Sequence, residues 1–78
     1  MRNPEVNIDD DLRAAARCLV DGQVEDASWI LRRLADQQLH RAPSGWDTTL
    51  IVRAANWLDL GAPRSALETV ARILWSRN

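Results

Sequence analysis

From Ile8 onward, apolar residues return at Leu12, Ala15, Ala16, Leu19 and Val20, the three- and four-residue spacing of one helical face. Asn7 or Asp9 is placed to cap this first helix, and Gly22 ends it. A second stripe, Val24, Ala27, Ile30, Leu31, Leu34 and Ala35, predicts a helix over about 24–39. Glu25 and Asp26 sit in its electropositive first turn and His40 near its electronegative end. The segment HRAPSGW breaks the pattern: Pro43 and Gly45 make it a loop, and Ser44 or Asp47 is suited to cap the next helix. That third helix is expected over about 47–60, where Leu50, Ile51, Ala54, Trp57 and Leu58 form an arc wide enough to meet more than one neighbour. Gly61 ends it. Pro63 fits the first turn of a fourth helix, where a missing N–H costs nothing, and Ala66, Leu67, Val70, Ile73 and Leu74 turn toward the core.

No strand pattern competes. Tyr and Phe are absent, and the Asp21-Gly22 pair joins two helical stripes rather than two alternating runs. The short breaks at Asp21-Gly22 and Gly61-Ala62 predict helices that fold back on one another. The expectation is an all-α chain of four helices arranged as two antiparallel helical hairpins. It forms one domain over 1–78, with halves of about 9–40 and 47–77 and a loop over 41–46.

The two halves match when the chain is slid by 39 residues. Ala15/Ala54, Ala16/Ala55, Leu19/Leu58, Gly22/Gly61, Ala27/Ala66 and Arg33/Arg72 are identical, and Leu12/Ile51, Leu31/Val70 and Leu34/Ile73 are conservative. Turn glycines that coincide together with the small residues on both sides of them point to repetition rather than to shared helical rhythm.

At these residues the chain resembles the tetratricopeptide repeat. Each half has a small residue in its first helix (Ala15, Ala54), a glycine at the turn (Gly22, Gly61) and an alanine five residues on, in GQVEDA and GAPRSA. The resemblance implies a bundle of helical hairpins that binds proteins and has no chemistry of its own. It also implies an inner groove lined by Arg13, Ala16, Val20, Val52, Ala55 and Asp59, suited to an amphipathic helix. Small helical chaperones of secretion systems belong among such repeat proteins, and WLDLGAPRSALETVARIL is similar to a repeat of that kind.

Composition narrows the role. With 46% hydrophobic and 27% charged residues, the chain is globular rather than disordered. Ten arginines, with no lysine, oppose eleven acidic residues, so the net charge of −1 lacks the basic field of a non-specific nucleic-acid binder. Single Cys18 and single His40 make neither an internal disulfide nor a zinc site, and the expectation is a protein without metal or cofactor in a reducing cytoplasm. MRNPEVNIDDD is too polar for a secretory signal, and no apolar run approaches a membrane span, so a soluble protein is expected.

Candidate chemistry is sparse. Asp9, Asp10 and Asp11 suit the positive end of a helix better than a calcium loop, which needs alternating ligands and a glycine. No serine lies in a Gly-x-Ser-x-Gly setting, and no glycine-rich loop could hold a phosphate, so no enzyme is expected. A helix-turn-helix DNA regulator is the alternative, with Arg32, Arg33, Gln37 and Gln38 on its reading helix, although Asp26 and Asp36 share that surface. Titration with duplex DNA at low and moderate salt separates the two readings.

The four tryptophans carry the most information. Trp57 falls on a core arc, and Trp46 is placed to staple a helix entrance against Leu50 or Ile51. Trp29 and Trp75 lie off their core stripes, among Arg32, Arg33 and Asp36 and among Arg64, Glu68 and Arg72 respectively. Either they fold over the edge of a small core, or they anchor another protein, since Trp and Arg dominate binding hot spots. The candidate partner-binding residues are therefore Trp29, Arg33, Arg72 and Trp75, with Arg13, Val20 and Val52 in the groove. The partner is expected to be a second copy or another protein, because so small a core gains little stability by itself.

Overall fold

The computed structural model describes residues 8–77. Four helices succeed one another: α1 (Ile8–Val20), α2 (Val24–Arg41), α3 (Trp46–Asp59) and α4 (Pro63–Arg77). Among the described residues there is no strand, and the fold is all-α. Asn7, one of the two expected caps of α1, lies outside the described residues, and the other, Asp9, lies within the helix.

Both short turns are built alike. At the end of α1, Gly22 N–H donates to the Leu19 carbonyl (3.2 Å) and Gln23 N–H to the Cys18 carbonyl (2.7 Å). At the end of α3, Gly61 N–H donates to Leu58 (3.0 Å) and Ala62 N–H to Trp57 (2.8 Å). This paired closure of the last carbonyls requires a left-handed residue, and both glycines supply it, at φ 81° and 76°.

The middle connection differs from expectation. Helix α2 continues to Arg41, and the loop shrinks to 42–45. The residue flanking α3 is Gly45 rather than Ser44 or Asp47, with no side-chain cap, so Trp46 and Asp47 lie inside the first turn. Thr48, buried, turns its hydroxyl to the Ala42 carbonyl (2.7 Å) and ties the loop to the helix it precedes.

The core is made of equivalent positions. Leu12/Ile51, Ala15/Ala54, Ala27/Ala66, Leu31/Val70 and Leu34/Ile73 are all buried, and Leu19/Leu58 close the layer beneath the turns. Val20 departs from its predicted place: the last residue of α1, it is 71% exposed, because it lies about 100° round the helix from buried Leu19 and so off the core stripe. Ile8, Ala16, Val24, Ile30, Leu67 and Leu74 pack partly against the core rather than within it.

The helices pack in a closed cycle, α1 on α2, α2 on α3, α3 on α4 and α4 on α1. Exchanging the two halves converts the α1–α4 contact into the α3–α2 contact, and both exist. The halves are thus related as by a two-fold rotation. Stacking by translation would leave the first and last helices apart.

This packing sets two expected outcomes. Replacing Ala27 or Ala66 by Leu overfills a closed contact and should lower stability by about 1–3 kcal/mol in denaturant titration. Gly61→Ala meets no atom within 4 Å, so its cost is conformational alone; a loss of about 1–2 kcal/mol is expected, without change in helical content.

Candidate functional site

Trp29 lies on the outer side of α2, 62% exposed. Arg33 comes one turn later, and its guanidinium carbon stands 5.2 Å from the indole centroid, a cation–π stack that pre-orders both side chains. With Asp11 of α1 and Ile30 they border a shallow cleft of 100 Å³. Trp75, 83% exposed, projects from α4 almost directly away from the core. Among the described residues, no matching stack joins it to Arg72.

Arg72 faces a larger cleft between α3 and α4, of 420 Å³, bordered by Arg53, Trp57, Glu68 and Thr69. Thr69 donates its hydroxyl to the Ser65 carbonyl (2.8 Å). Trp57 is half-buried against the core and forms one wall, so it is neither fully internal nor free. Sliding the chain by 39 residues superimposes the two clefts: Ile30 matches Thr69, Arg33 matches Arg72, and Trp29 matches Glu68. Where the first half carries an indole, the second carries a carboxylate and an open groove.

The expected inner groove is divided. Val52, Ala55 and Asp59 line a groove of 240 Å³ with Arg32, Ala35 and Leu39 of α2, and an Arg32–Asp59 ion pair bridges its rim. Arg13, Ala16 and Val20 are on α1, which packs against α2 and α4. The closed cycle places α1 diagonally from α3, so the six residues do not share one surface. Arg13 instead approaches Asp10 along its own helix (3.9 Å).

Three features escaped the sequence. Gln38, read as an exposed base-contacting candidate, is buried, and Gln37 is half-buried. Trp46 does not staple the entrance of α3; it is its first residue and is 53% exposed. Arg77 clasps Asp9 of α1 and Asp47 of α3, joining three helices. The Asp9 carboxylate raises the Arg77 pKa above its ordinary value; partial burial opposes this and Asp47 adds to it. The repeat carries a trace of this arrangement, since Arg77 corresponds to Gln38 and Asp9 to buried Thr48.

His40 sits at the end of α2 with Nδ1 2.8 Å from the Asp36 carbonyl, to which it donates. Among the described residues no three His, Cys, Asp or Glu side chains stand together as a metal site. No helix there is long and apolar enough to cross a membrane.

No protein-family model, no curated protein and no solved structure matches the chain. Function has to be sought in the surface itself.

The clasp yields a salt-dependent outcome. Arg77→Met should lower stability by about 1 kcal/mol at low ionic strength. The difference should shrink in about 1 M salt, where screening reaches about 3 Å. An equal loss at both salt concentrations would show that Arg77 acts through packing alone.

Proposed function

We propose that this chain is a non-catalytic protein–protein interaction module, working as an adaptor, small chaperone or inhibitor in the cytoplasm. The observation that carries this reading is the exposure of Trp29 and Trp75, each large enough to serve as an anchor in a partner's pocket. Arg33 strengthens it, because a stacked guanidinium holds the Trp29 indole in place before binding and so lowers the ordering cost. The repeat-like arrangement of the halves agrees with a scaffold role. On α2, Arg32 is engaged by Asp59, Arg33 by Trp29, and Gln38 is buried, which leaves little of that helix to read bases.

Melting and affinity measured on the same samples test the proposal. Trp29→Ala should leave the melting transition nearly unchanged and weaken capture of the partner from the native host by about 2 kcal/mol or more. If Trp29→Ala instead lowers stability by about 3 kcal/mol, with affinity per folded molecule unaltered, the residue belongs to the core edge and the reading fails.

A further inference from the structure

We infer that the α3–α4 cleft is a self-association site that receives Trp75 of a second copy of this chain, in a reciprocal two-fold dimer. The inference rests on the interaction reading above for Trp75 as an anchor, and adds the occupant, the receptor and the geometry.

The chain carries its own precedent for what fills such a cleft. In the first half, Trp29 borders the corresponding α1–α2 cleft, stacked with Arg33, and that cleft measures only 100 Å³. In the second half, Glu68 takes the place of that indole, and a 420 Å³ cleft remains beside Arg72. The half with a carboxylate at this position therefore offers room for an indole, with Trp57 as an aromatic wall and Arg53 and Arg72 as cations to lie against its faces. The most exposed large hydrophobic side chain of the described residues, Trp75, stands on the same helix.

Self-complementarity selects a second copy as the occupant. At about 100° per residue, Glu68, Arg72 and Trp75 point within about 60° of one another, so donor and receptor share one face of α4. An isologous interface requires this, because each patch must both insert and receive. At about 1.5 Å per residue, Glu68 and Arg72 lie about 3 Å to either side of Val70 along the helix, and Ser65 and Trp75 about 7.5 Å. A two-fold axis crossing α4 at the level of Val70 thus sets Arg72 opposite the second copy's Glu68, twice. The same axis brings Trp75 level with the second copy's Ser65, which borders the cleft, and the indole reaches across to it. Charge and shape agree in one arrangement: two crossed ion pairs between two inserted indoles. Neither Glu68 nor Arg72 forms an ion pair within its own chain among the described residues.

Sedimentation equilibrium of the full chain, from about 1 µM to about 1 mM, reads the dimer directly. The wild type should pass from monomer to dimer in this range, and Trp75→Ala should weaken association by about thirtyfold. Arg72→Glu and Glu68→Arg should each weaken it by about tenfold or more, whereas the double variant, which restores both crossed pairs in reverse, should recover most of the affinity. The substituted positions are exposed or at the cleft border, and thermal melts confirm that each variant is folded. A wild type that stays monomeric throughout, a dimer indifferent to Trp75→Ala, or a double reversal no better than the single ones overturns the inference. A monomeric chain that still captures its partner through Trp29 removes the dimer and leaves the interaction module standing.

Discussion

Four alanines decide how near the helices come. Ala15, Ala27, Ala54 and Ala66 are buried without residual exposure, at matching points of the two halves. A methyl group at such a point lets neighbouring helices approach more closely than a longer side chain would. The core is accordingly narrow. Leucine, isoleucine and valine fill the spaces between the alanine contacts, and no indole fits there. All four tryptophans are left half-buried or exposed, and the surface chemistry of the protein begins with that exclusion.

The two-fold relation of the halves organises the rest. Equivalent positions that face the core stay alike, because each is held by the same neighbours, as Leu12 and Ile51 or Ala27 and Ala66 show. Positions at the ends and on the rims differ between the halves. Buried Thr48 ties the loop to α3, while its counterpart Asp9 receives the guanidinium of Arg77. The positions equivalent to the ionic clasp of Asp9 and Arg77 hold the uncharged Thr48 and Gln38. The clasp draws together the start of α1, the start of α3 and the end of α4, all at the end of the bundle away from the two glycine turns.

Helix number, the glycine turns and the buried stripes were legible because each has a local cause: periodicity, a positive φ, or a missing N–H. Trp29 and Trp75 were legible as outward residues for the same reason. The burial of Gln38 and Thr48 was not, since a reading of apolar spacing passes over polar residues, and Thr48 is retained inside by a bond to a carbonyl six residues back. Val20 shares the apolar spacing of α1 but lies off its buried stripe, at the last position of the helix. The groove joining Arg13 and Val20 to Val52 required knowing whether the halves stack or rotate. That depends on α4 meeting α1, a long-range contact with no signature in local spacing.

A bundle of two identical hairpins made from separate chains would be bound by its symmetry: any substitution in one groove would appear in the other. Joining the hairpins through residues 42–45 lifts that restriction. Trp29 then borders one cleft while Glu68 borders its larger counterpart, with the buried alanines beneath both unchanged. The connecting loop is in this sense what allows the two sides of the molecule to differ.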